Sequence, residues 1–120
     1  EYADKSTLPF AEAVICDDIV RALNTLSIDE FTFVVIVTRS HELDEMALEA
    51  CINTGARYIG MMGSKLKVRR IFESLIAKGI EPQKLKRVHA PIGMRIGAVT
   101  PMELGISVIA EVIASYRDAL

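Results

Sequence analysis

Eight consecutive residues near the middle of the chain, Gly60-Met61-Met62-Gly63-Ser64-Lys65-Leu66-Lys67, have the types and spacing to meet an anion. Glycine lets a backbone come close to a ligand. Ser64 can open a helix, where free N–H groups and the dipole attract negative charge. The next two turns hold Lys65, Lys67, Arg69 and Arg70. Cations there oppose the dipole by about 0.3–1 kcal/mol each, so a sequence shaped for stability alone would place Asp or Glu instead. A phosphate or pyrophosphate reverses that penalty. The plainer reading is a capped helix whose basic residues point to water. The pattern is not a Walker loop, and no G-x-G-x-x-G occurs.

A second group, Thr38-Arg39-Ser40-His41-Glu42-Leu43-Asp44, follows an apolar run. His41 and Glu45 are four apart and can share a helix face. A metal would need a further ligand, and His89 is the only other histidine. No metal site is expected. A third group, His89-Ala90-Pro91-Ile92-Gly93-Met94-Arg95-Ile96-Gly97, has the composition of a shaped loop; the plainer reading is that its glycines serve turns only. Cys16 and Cys51 read as core residues. No nucleophile elbow is present, so no catalytic residue is assigned.

These groups need elements to position them. Ala13 to Cys16 is a candidate strand. Asp17 or Asp18 can cap a helix reaching about Leu26. Phe31 to Thr38 is rich in β-branched and aromatic residues, and Phe33 to Val37 is continuously apolar, as in a parallel strand covered on both faces. Ser40 can cap a helix that Gly55 would stop. Tyr58 to Met62 reads as another buried strand. A helix follows from Ser64 to Lys78, stopped by Gly79. Pro82 suits the first turn of a short helix. His89 to Thr100 reads as an ordered loop. Thr100, Pro101 and Glu103 announce a last helix with a capping box, and Leu104, Val108, Ile109, Val112, Ile113 and Tyr116 form its expected buried stripe. Strands alternating with helices imply an α/β fold with a parallel sheet. Ligands of such sheets sit beyond the carboxyl ends of the strands, which here means the loops after Val37 and Met62.

The chain has 120 residues, 51% hydrophobic and 25% charged, the size and balance of one globular domain. Its net charge of -2 is unevenly spread. Residues 1–63 hold four basic and eleven acidic side chains, whereas residues 64–89 hold eight basic and two acidic. A basic block in an acidic protein suits an anionic partner or a solvated face. No apolar run is long enough for a membrane span. Two cysteines are too few for a disulfide framework, so a reducing, cytoplasmic setting is expected. The few aromatic residues offer no stacking platform for bases, so nucleic acid is not an expected partner.

Taken in order, YIGMMGS with its following basic residues, HAPIG, and the helix from TPME to AE resemble the C-terminal Rossmann-like domain of the XdhC/CoxI family, accessory proteins of xanthine dehydrogenase and related molybdenum hydroxylases. The approach at Leu8 to Ala13 is similar too. The resemblance implies a Rossmann-like three-layer sandwich with a mainly parallel sheet, here lacking the first strands of the family domain. It implies binding of the molybdenum cofactor, as molybdopterin or its dinucleotide, and insertion into an apoenzyme, a maturation role without turnover. An NAD(P)-binding oxidoreductase or sensing domain, and a docking domain for the apoenzyme, are the alternatives. Carried over, the cofactor-binding residues are Thr38, His41 and Asp44; Gly60, Gly63, Ser64 and Lys67; and His89, Pro91, Gly93 and Gly97. Arg39, where the family usually has His, and Lys65 join them as candidates from the same two groups of residues. Missing strands would leave a sheet edge and apolar helix faces uncovered, so a homodimer or an exposed apolar patch is expected.

Overall fold

The computed structural model describes residues 11, 15 and 18–120. The candidate strand at Ala13 to Cys16 lies outside the described residues except for Ile15, as do Cys16 and Asp17. The described elements are α1 (Ile19–Thr25), β1 (Phe33–Ile36), α2 (His41–Cys51), β2 (Tyr58–Met61), α3 (Lys65–Ala77), α4 (Pro82–Leu85), β3 (Val88–His89) and α5 (Pro101–Tyr116). The sheet order is β1-β2-β3, and both pairings are parallel. Phe33 pairs with Tyr58 and Ile36 with Met61, while Gly60 pairs with His89. β3 reaches into the expected loop at His89. Two residues are too few to show a period of two, and only the partner strand makes Val88–His89 a strand.

Side chains alternate across the sheet. Ile36, Ile59 and Met61 join Ala47, Leu48 and Cys51 of α2 and Val68, Ile71 and Leu75 of α3 in the main apolar core. The other face of the sheet is different. Phe33 and Tyr58 lie stacked with centroids 6.0 Å apart, Tyr58 stacks on His89 at 4.8 Å, and Phe33 meets Tyr116 of α5 at 6.2 Å. One aromatic side chain from each strand thus forms a row under α5.

The caps explain most element boundaries. Asp18, Ser40, Ser64 and Thr100 each accept a backbone N–H with their side chains. Thr100 and Glu103 complete the capping box, and Pro101 and Pro82 sit in first turns. Gly79, at φ +103°, follows the C-cap Lys78 of α3, where a stop was expected. Gly55 does not stop α2. That helix ends at Cys51, and Thr54 folds back to donate its hydroxyl to the Cys51 carbonyl.

Two expectations about burial are corrected. The stripe predicted for α5 is largely exposed: Leu104, Ile109, Ile113 and Tyr116 face water, and of the predicted residues only Val108 is buried. The helix instead buries Ser107, Val108 and Glu111. The reason lies in what they meet. A side chain at Gly93 would collide with Ser107, and Tyr58 needs an acceptor, so small and polar residues fit this contact where aliphatic ones would not. Cover over β1 is also partial. Val35 is 43% exposed and Val37 is 56% exposed, although the apolar run implied burial on both sides. Among the described residues, β1 pairs with β2 alone.

Candidate functional site

All three strands run in the same direction, so the segments following β1, β2 and β3 leave from one edge. The loop after β3 stays close to β2, since Ile92 N–H donates to the Met61 carbonyl (3.0 Å). Met62 N–H donates to the Ile36 carbonyl, extending the β1–β2 pairing to the edge. The strand-end segments beginning at Thr38, Gly63 and His89 are therefore neighbours by topology.

At the heart of this edge lies Asp44, fully buried in the first turn of α2. Its Oδ1 accepts the Thr38 N–H (3.1 Å) and the Thr38 hydroxyl (2.6 Å). Its Oδ2 is paired with the Lys67 ammonium, which also lies 3.4 Å from the Met62 carbonyl oxygen. Lys67 thus bolts the start of α3 to the start of α2. Gly63 makes room for it: at φ +155°, a Cβ there would lie 2.9 Å from Lys67 Cδ. Three predicted site residues are joined here, Thr38 and Lys67 each through Asp44.

Around this bolt the edge is basic. α3 has no acidic residue in its first turn, and Lys65, Arg69 and Arg70 are exposed. Ser64 caps by accepting the Lys67 N–H (3.1 Å). Arg39 and His41 are exposed at the start of α2. The pair envisaged between His41 and Glu45 is not the main one. Glu45 accepts from Lys78 (2.7 Å) and Ser74 (2.9 Å), and the Lys78 hydrogen bond is the largest cause holding its carboxyl below the usual value.

The third segment is anchored inward. His89 lies beside Gly60. The Ala90–Pro91 peptide is cis. Gly93 has φ +107° and donates its N–H to Glu111 Oε2 (3.1 Å), while Met94 N–H donates to the Ser107 carbonyl (3.0 Å). Gly60 is closely approached by the protein itself: a Cβ would lie 2.4 Å from Ile92 Cδ1 and 2.5 Å from the Tyr58 hydroxyl. Gly97, at φ +73°, stands in open space, and Pro91 is exposed.

Sequence reasoning missed Tyr58 and Glu111. Glu111 is 7% exposed, and its Oε1 accepts the Tyr58 hydroxyl (2.8 Å). Burial first, and then this carboxylate, push the phenol well above its ordinary value. The signal was an acid standing in the apolar register of α5 between Val108 and Val112. Among the described residues, no cluster of three or more His, Cys, Asp or Glu could hold a metal ion. No helix there is long and apolar enough to cross a membrane.

The XdhC Rossmann domain matches residues 1–112. The chain belongs to this family. Its XdhC fold is also that of a xanthine dehydrogenase crystal structure from Bacillus halodurans, with a TM-score of 0.82 and 29% identity over 98% of this chain and 33% of that one. Among curated proteins, it is 37% identical over 98 residues to the "Uncharacterized protein YqeB" of Escherichia coli K12, covering 82% of this chain and 18% of that protein. It is 27% identical to a protein of Bacillus subtilis 168 named as a probable xanthine dehydrogenase subunit, over 97% of this chain and 33% of that protein. The XdhC domain described here thus spans between about a fifth and a third of these relatives.

Proposed function

We propose that this XdhC domain binds the molybdenum cofactor by its phosphate-bearing end at the carboxyl edge of the sheet. It would serve the cofactor's insertion into a xanthine dehydrogenase-type apoenzyme in the cytoplasm. The observation that carries the reading is the charge arrangement at α3. The buried carboxylate of the edge, Asp44, is answered internally by Lys67, so the exposed balance at Ser64 to Arg70 is positive. That fits a phosphate or pyrophosphate. The N-terminal amides of α3 with Ser64 and Lys65 would hold the anion, and Arg39, His41 and the His89 to Gly97 segment would line the rest. When bound, the cofactor would supply the molybdenum-carrying pterin to the client; the domain's own residues bind and orient it. The names of the relatives support a client of this kind.

Spectral titration of the full-length protein with molybdopterin, and separately with NAD(H), tests the reading. Saturable binding of molybdopterin that weakens at least tenfold in Ser64→Asp is expected, since a carboxylate there repels the phosphate. Binding of NAD(H) with no response to molybdopterin would replace it with the dinucleotide reading.

A docking role has its own observation. Met102, Ile106, Ile109 and Ile113 form an exposed apolar groove along α5. Capture of the apo-hydroxylase that is lost in Ile109→Glu and retained in Ser64→Asp would assign docking to α5 and anion binding to α3.

A further inference from the structure

We propose that Glu111 is a positioning residue that fixes His89 with Nδ1–H turned inward, leaving Nε2 at the sheet edge as a hydrogen-bond acceptor. The argument begins with a buried carboxylate in an apolar helix, which is retained only if donors surround it. Two are in place, the Tyr58 hydroxyl on Oε1 at 2.8 Å and the Gly93 N–H on Oε2 at 3.1 Å. The third group facing it is His89, with Nδ1 3.5 Å from Oε1. The Tyr58 ring, stacked on the imidazole at 4.8 Å and 14°, limits the ring's rotation away from this contact.

A neutral imidazole carries one proton. With the proton on Nε2, the Nδ1 lone pair would face a carboxylate oxygen, two acceptors against each other. With the proton on Nδ1, the contact is attractive. Nδ1 and Nε2 flank Cε1 and their in-plane bonding directions diverge, and the His89 side chain is 36% exposed, so with Nδ1 turned to Glu111 the nitrogen available to a ligand would be Nε2. It would accept from an N–H or O–H donor, a chemistry that the edge of a pterin ring offers. The same carboxylate holds Gly93, so one buried group sets both the imidazole and the turn of its loop. The identity of the ligand rests on the function proposed above; the tautomer does not.

Long-range proton–nitrogen correlation spectra of the full chain carrying isotope-labelled histidine read the tautomer directly. The chain has two histidines, and His89→Asn assigns them. At a pH where both rings are neutral, the expected result is a protonated Nδ1 and a bare Nε2 for His89. In Glu111→Gln, one acceptor oxygen becomes a donor amide. The loosest contact should then give way, with the Nδ1–H share of His89 falling at least twofold. Tyr58→Phe should retain it. A wild-type His89 protonated on Nε2 overturns the proposal without any variant, and so does an unchanged tautomer in Glu111→Gln. Titration with a pterin carboxylate should shift Nε2. An inward Nδ1–H with no Nε2 response overturns the acceptor role and counts against the cofactor reading, while the positioning role stands.

Discussion

Replacing Lys67 by Met should cost more stability than any other single change at the sheet edge. Asp44 is fully buried, and its side chain has three donors: Thr38 N–H, Thr38 hydroxyl and the Lys67 ammonium. Lys67→Met keeps the stem and removes the positive partner. Breaking a buried pair from one side costs about 3–5 kcal/mol. The Lys67 side chain is 26% exposed, and two neutral donors remain, so the low end of about 3 kcal/mol applies. With a urea slope of about 1.5 kcal/mol/M, the midpoint falls by about 2 M at constant slope. Asp44→Asn combined with Lys67→Met should recover most of this. The amide oxygen still accepts from Thr38, and its NH₂ can reach toward the Met62 carbonyl that Lys67 approaches. Equilibrium urea unfolding of the four proteins in the cycle gives the coupling. A midpoint shift below about 0.5 M in Lys67→Met, or a double variant as unstable as the single one, would refute the buried bolt. Unchanged stability with weakened phosphate binding would make Lys67 a ligand instead.

Gly60→Ala should destabilise by about 1–3 kcal/mol, because the new methyl meets Ile92 and a Tyr58 hydroxyl that Glu111 holds in place; chemical denaturation measures it, and Ile92→Ala should recover part. Thr100→Ala should cost about 1 kcal/mol by loss of the cap, read by the same method. The Val99 and Thr100 amides hold the Glu103 carboxyl below its ordinary 4.5, so this cap contributes fully above that value and fades as pH falls through the lower folded one; α5 amide exchange should follow that course. Tyr58 behaves in the opposite sense. Its folded value lies above the ordinary 10.0, so its contribution is complete below that and lost as pH rises toward the folded value. Ultraviolet difference absorbance should show one tyrosine of the three ionising only as the chain unfolds. Light scattering across a concentration series should show self-association that Ile109→Glu abolishes; a monomer throughout removes the expected dimer through α5.

Much of the architecture was legible because it is set by local chemistry. The apolar runs at Phe33 and Tyr58 are strands because β-branched and aromatic residues suit a parallel sheet, where no alternation is needed, although only the Tyr58 run is buried throughout. Ser40, Ser64 and Thr100 begin helices because a side-chain oxygen three residues back satisfies a free amide, a contact that sequence spacing alone specifies. The shared edge of the candidate site followed from parallel topology. What each residue does there was decided by contacts between distant segments. Lys67 reads as a free cation in its helix, yet a carboxylate 23 residues away claims it. Gly60 and Gly93 read as room for a ligand, but Ile92, Tyr58 and Ser107 press against them. The expected stripe of α5 is offset from the buried face, sharing Val108 with it, because helical periodicity shows which residues share a face, not which face meets the sheet. That choice belongs to the partner surface. Here the row of Phe33, Tyr58 and His89 requires small and polar neighbours, and so Ser107 and Glu111 are inside while Ile109 and Ile113 are not.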